Sequence, residues 1–180
     1  QRQMCIRDSD IPEEVVNKLQ LIMIDSFGLM VSAKNEPYIK SLINALQEHG
    51  NCTLVGHNKK VNPFNASIIN GTAIHGEDFD DTFEGTPVHV GSVMVPAILS
   101  SAQAKNLDGQ KFLKGLVVGS ELICRLALVA PTAVHRQGFH PTAIFGAFGS
   151  SIGVSSLLGN TINEMSSGLG IVGSMASGII

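Results

Sequence analysis

Apolar residues recur every three or four positions along almost the whole chain, and that spacing constrains the fold more than any other feature. Val16, Leu19, Met23, Phe27 and Met30 make the first stripe. Ile39, Leu42, Ile43 and Leu46 make a second, on a helix predicted near Tyr38 to Glu48 with Gly50 as its stop. Phe112, Leu116, Gly119, Ile123 and Leu126 make a third. The period-two alternation of a half-buried strand appears only weakly, around Thr53–Val55. The pattern predicts an all-α fold with no internal repeat and no linker.

Local signals place the helix ends. Asn62 followed by Pro63 reads as an N-cap with proline at the first helical position, opening a helix through Ile69 and Ile74. Ser92 to about Lys105 reads as another, with Pro96 near its first turns. Asp108 caps the next, where Glu121 and Arg125 form an i,i+4 pair. His140-Pro141 opens a further helix with a face of small residues at Gly146, Gly149, Gly153 and Ser156. Each glycine costs that helix about 1 kcal/mol of propensity, and close approach of a neighbouring helix is the expected return. Gly159 closes it, and Thr161-x-x-Glu164 is a capping box for the last helix.

Hydrophobic residues make up 44% and charged ones 15%, which is globular and apolar, not disordered. The net charge is −3 with no basic stripe, so nucleic acid is excluded as a partner. The runs Pro141 to Asn163 and Met165 to Ile180 lack Asp, Glu, Lys and Arg. They are rich in Gly and Ser and carry no flanking Lys/Arg clusters or aromatic belts, which argues against a membrane span. Cys5, Cys52 and Cys124 fit no metal or disulfide spacing, and a reducing, cytoplasmic compartment is expected. Gln1–Ser9 has no periodicity and reads as a non-native leader. Residues 10–180 are then an incomplete helical domain, ending on Ile179-Ile180 without a capping residue. Such a chain is expected to leave apolar surface uncovered, to self-associate and to show no turnover by itself.

Carboxylates concentrate in His75-Gly-Glu-Asp-Phe-Asp-Asp-Thr-Phe-Glu84. If this stretch stays helical, His75, Asp78 and Thr82 share a face while Asp80 and Asp81 point elsewhere. Most charge runs are solvated helix ends. This one opposes the helix dipole, so it is not there for stability, and His89 follows it after a short loop. His140, before Pro141 and near Arg136, is the second focus. As an N-cap it shares its position with the free N–H groups of a first helical turn, a seat for a carboxylate, and the dipole there keeps it neutral. Asp25, His49, His57 and His135 lack such a setting and read as surface residues.

Two separated motifs resemble the MmgE/PrpD family. One is Asn70-Gly71-Thr72-Ala73-Ile74-His75 through Asp78-Phe79-Asp80-Asp81-Thr82, then His89 and Pro96-Ala97. The other is Gly138-Phe139-His140-Pro141-Thr142, followed by Phe145-Gly146-Ala147-Phe148-Gly149. The likeness runs from about Ile11 to Ile180. It implies a large all-α domain truncated before a smaller lid domain, homodimers, no metal and no organic cofactor. Asp78, Thr82, His89 and His140 match the family's active-site positions, and a lysine pocket is expected beyond the last helix seen. Val90 departs from the family, in which many members have proline after the histidine.

The family includes 2-methylcitrate dehydratase, cis-aconitate decarboxylase and epimerases of related acids. Such reactions on polycarboxylates pass through carbanion or enolate-like species and need a base, a proton donor and groups that hold negative charge. His89 and Asp78 are expected as the proton-transfer pair, Thr82 as an orienting hydroxyl, and His140 as carboxylate ligand or proton donor. Two rival readings remain. Asp80-Asp81-Thr82-Phe83-Glu84 has the D-D-x-x-[DE] pattern of Mg²⁺-dependent helical isoprenoid synthases. A non-catalytic helical scaffold would leave the settings of His89 and His140 without purpose.

Overall fold

The computed structural model describes residues 11–46 and 48–179. The region read as a non-native leader lies outside the described residues. Nearly all of the remainder is helical: α1 (Glu13–Ser32), α2 (Pro37–Ala45), α3 (Pro63–His75), α4 (Val90–Lys105), α5 (Gly109–Val129), the single turn α6 (Ala133–Arg136), α7 (Pro141–Leu158) and α8 (Ile162–Met175). The all-α expectation holds with one addition, a two-stranded antiparallel hairpin of β1 (His49–Thr53) and β2 (Lys60–Val61).

The hairpin corrects the second predicted helix. That helix stops at Ala45, and Gly50 is a strand residue, not a helix stop. Its role is steric: a Cβ there would sit 2.5 Å from the Asn62 nitrogen. The weak alternation at Thr53–Val55 marks the end of β1, whose start has no apolar alternation to reveal it.

The predicted caps form as written. The Asn62 side chain accepts from Asn65 N at 2.8 Å, and Asp108 accepts from Lys111 N at 2.9 Å. Thr161 and Glu164 complete a capping box, and Gly159 closes α7 in the left-handed region at φ 74°. Glu121 accepts from Arg125 Nε at 2.6 Å.

The core is organised around α4 and α7. Met30, Ile39, Ile69, Ile74, Met94, Ile98, Leu116, Ile123 and Ile152 are fully buried. The α5–α7 interface is the most extensive, and small residues on both helices allow it. A Cβ on Gly119 would fall 2.7 Å from Gly149 O, and one on Gly153 would fall 2.8 Å from Gly115 O. The small face of α7 therefore has the close neighbour expected for it. Pro96 is the seventh residue of α4, deeper than the first turns, and cannot donate to the Ser92 carbonyl beside Gly71.

Glu13–Asn35 and α7 are each long and apolar enough to cross a membrane by length and composition. Half of α7 is buried against its neighbours, while α1 exposes Leu21, Ile24 and Val31 alongside the charged Lys18 and Asp25. In α8 no residue is fully buried, and Ile162, Ile171 and Met175 are exposed.

Candidate active site

Helix α3 ends at His75, and Gly76 still continues its geometry at φ −62° with its N–H donating to Thr72 O at 2.9 Å. A Cβ on Gly76 would meet Tyr38 Oη at 2.6 Å and Thr72 O at 2.8 Å. The chain then turns, with Asp78 N donating to His75 O at 3.0 Å and Asp78 in the left-handed region at φ 56°. Aspartate tolerates that region better than most residues. The acidic stretch is consequently a loop, and the helical face grouping His75, Asp78 and Thr82 does not exist. The turn sends Asp80 inward instead.

Asp80 is the centre of the site. Its side chain is fully buried, and Oδ2 accepts from His75 Nδ1 at 3.0 Å. A carboxylate only accepts, so this contact assigns a hydrogen to His75 Nδ1. His89 Nδ1 lies 3.3 Å from the other oxygen, Oδ1, out of line for a hydrogen bond. His89 Nε2 is 3.8 Å from the exposed Asp78 carboxylate. His75 Nε2 faces His140 Nε2 at 3.3 Å. Two imidazoles thus flank one buried carboxylate and a third stands behind His75, whose ring centroid is 4.8 Å from that of His89 and 5.4 Å from that of His140.

Two helix starts converge on this group. His89 is the N-cap of α4 and His140 that of α7, and neither ring bonds its own helix. The rings turn to each other and to Asp80, while the His89 backbone N–H donates to Thr142 Oγ1 at 3.0 Å. The His140 backbone N–H donates to Gly178 O at 3.1 Å, which fixes the entry to α7. Helix N-termini favour negative charge, so the setting suits an anion.

The charge states follow from these contacts. Hydrogen bonding to Asp80 raises the His75 pKa against the opposing cost of burial. For Asp80, burial pushes upward, but the bond and charge of His75, with His89, outweigh it and hold the carboxyl below its ordinary range. Burial first, then the charges of His75 and His89, lowers His140, in the direction expected of a neutral N-cap. His140 Nδ1 is buried with no hydrogen-bond partner.

A cleft of about 440 Å³ opens beside the cluster, within the size range of small-ligand pockets. Thr72, His75, Ser92, His140 and Thr142 supply its polar wall, and Ile68, Val93 and Ala143 its apolar wall. Among the described residues, no lysine or arginine lines it. A smaller recess holds His89 and His140 with Pro87, Pro141 and His135.

Of the four predicted site residues, Asp78, His89 and His140 come together. Thr82 does not join them: it is exposed and lines a separate cleft of about 520 Å³ with Asp81, Lys18, Ser120 and Cys124. Asp80 and His75 are the members that sequence reasoning did not name: a helical reading of the loop aims Asp80 away, and it groups His75 with Asp78 and Thr82 without giving it a role. His49 is exposed as expected, His57 is half-buried, and His135 stands at the rim of the recess.

The D-D-x-x-E pattern fails as a cation motif. It lies in a loop, Asp80 is occupied by the histidines, and Asp81 Oδ1 accepts from Gly91 N at 2.8 Å. His75, Asp78, Asp80 and His89 do offer ligand atoms, spread up to 4.8 Å apart. Tetrahedral donors around one ion with bonds of about 2.1 Å lie roughly 3.4 Å apart. In this arrangement His75 donates directly to the Asp80 carboxylate, while the donor spacings of 3.0, 3.3 and 3.8 Å bracket that value.

The chain matches the MmgE/PrpD N-terminal domain over residues 5–180. It is 27% identical over 186 residues to the cis-aconitate decarboxylase-like protein oryM of Aspergillus oryzae, covering 97% of this chain and 39% of that protein. It is 24% identical to cis-aconitate decarboxylase of Aspergillus terreus, over 95% of this chain and 37% of that one. Against human cis-aconitate decarboxylase it is 32% identical over 63% of this chain and 24% of the other. The chain thus spans about two-fifths of the length of the fungal relatives. Given a match over nearly every residue that carries the helices and the histidine cluster, the chain belongs to the MmgE/PrpD family.

Proposed function

We propose that this chain is the N-terminal part of a lyase that acts on a small polycarboxylate by acid–base chemistry. The observation that carries the reading is the cluster of buried Asp80 with His75 and His89, extended by His75 to His140, at two helix N-termini beside a cleft of about 440 Å³. The helix ends favour a substrate carboxylate, and the imidazoles exchange protons near neutral pH.

Decarboxylation of a cis-aconitate-like acid is the preferred reaction, supported by the names of the relatives. The bond from the departing carboxylate to its carbon breaks, and its electron pair stays in the conjugated remainder. CO₂ leaves as that bond breaks, and a proton from an imidazole neutralises the carbon on which the pair comes to rest. A dehydratase would use the same groups differently, one imidazole removing a carbon-bound proton while another protonates the departing hydroxyl. No metal or organic cofactor takes part in this reading. The cations that hold the remaining carboxylates come from beyond residue 180, and the working enzyme is a homodimer.

The test is a screen of citrate- and aconitate-like acids with the full-length protein, following CO₂ release and loss or gain of the conjugated double bond. Turnover of at least one such acid is expected. Inertness toward all of them would remove the reading.

A further inference from the structure

The His75–His140 contact limits how many protons the two rings can hold. Asp80 accepts from His75 Nδ1, so that nitrogen is protonated. The two Nε2 atoms stand 3.3 Å apart, and two N–H groups cannot point at each other across that gap. One hydrogen therefore lies between them, and the pair carries at most one positive charge. Placed on His75 Nε2, that hydrogen makes His75 the cation, directly beside the Asp80 carboxylate. Placed on His140 Nε2, it leaves His75 neutral and moves any charge away from Asp80. The buried carboxylate thus selects the first arrangement, in which His140 is a neutral acceptor.

We propose that Asp80 and His75 are positioning residues for His140, and that the three form a relay holding one exchangeable proton at the wall of the cleft. The proposal rests on the functional reading above, because it supposes that His140 exchanges a proton with a bound polycarboxylate. Each time substrate carbon is protonated, the hydrogen held between the two Nε2 atoms leaves the relay and both rings are left neutral; one proton returns from solvent through His75, whose side chain is one-third exposed. Nothing is oxidised or reduced. The charged and titratable groups facing the pair are Asp78 and Asp80 from the loop, His89 from the start of α4, and His135 from α6. Further along the loop, Glu77 is engaged by Tyr38 of α2.

Histidine-labelled full-length protein, followed by ring NMR across pH, tests this without requiring turnover. The rings of His75 and His140 should titrate as one coupled pair, with His75 losing its proton above pH 6.5 and His140 protonating below it. Asp80→Asn should weaken proton binding at His75 at least tenfold and, where turnover is measurable, move the pH limb of kcat by the same amount. A merely structural Asp80 would change stability and leave both midpoints in place. His75→Gln keeps a donor toward His140 but cannot carry the charge, and should raise the His140 midpoint. If Asp80→Asn does not fold, His75→Gln and the wild-type titration decide. Independent titration of the two rings, or a His140 midpoint unmoved by His75→Gln, would overturn the relay. A protein that transforms no polycarboxylate yet shows the coupled titration would overturn the function and keep the relay.

Discussion

Thr142 Oγ1 accepts the backbone N–H of His89 at 3.0 Å, joining the first turn of α7 to the N-cap of α4. This one bond holds two histidine-bearing helix starts in register, although the residues are far apart in the chain. Thr142 is buried, so its loss leaves an unpaired donor at the centre of the site. Thr142→Val should cost about 1–3 kcal/mol in urea denaturation and lower kcat, while Thr142→Ser retains both. Equal behaviour of the two variants would mean that the bond does not position the histidines.

His140 and His135 are close in sequence and differ in setting. His140 meets His75 inside the cluster, and His135 is exposed at the rim. In the full-length protein His140→Ala should lower kcat roughly 10²-fold or more, the scale of general acid–base groups. His135→Ala should cost little. Equal losses would identify His140 as structural.

Stability should depend on pH through the His75–Asp80 pair. Asp80 sits below its ordinary 3.8, because the bond and charge of His75 outweigh its burial. Its contribution is present above 3.8 and is lost as pH falls through the lowered folded value. His75 sits above 6.5, raised by its bond to Asp80. Its contribution is present below 6.5 and is lost as pH rises through the raised folded value. The stability gap between wild type and Asp80→Asn should therefore be widest between pH 3.8 and 6.5 and narrow on both sides. A gap independent of pH would contradict the ion-pair assignment.

Two glycines should respond with opposite sign. A Cβ on Gly149 would fall 2.9 Å from Gly119 O and press on Ile123, so Gly149→Ala should destabilise by about 1–3 kcal/mol. Gly170, inside α8, has nothing within 4 Å, so Gly170→Ala should stabilise by about 0.5–1 kcal/mol. Thermal unfolding of both variants decides whether the α5–α7 contact is as close as described.

Most of the helices and the capped ends among them were legible in the sequence because the signals are local, whereas the end of α2 and the single turn α6 were not. Asn62, Asp108 and Thr161 each bond a backbone group three residues away, and spacing alone locates them. The small face of α7 also announced a close neighbour. The β1–β2 hairpin was not legible, since exposed His49 and Gly50 carry no apolar alternation. Asp80 was not legible for a different reason. Its direction depends on where the chain turns, which is set by the left-handed conformation of Asp78 at φ 56°, a single-residue feature that periodicity does not show. His140 stood out by its position at a helix start and His89 by following the acidic run, but the ring that links Asp80 to His140 belongs to His75, which a helical reading groups with Asp78 and Thr82 and not with Asp80.

The most direct test of the acid–base account is turnover of a small polycarboxylate by the full-length protein with EDTA present throughout. The chemistry assigned to His75, His89 and His140 needs only protons. The account predicts an unchanged rate in chelator, falling roughly 10²-fold on His140→Ala. Activity that disappears in EDTA and returns with Mg²⁺ or iron would contradict it.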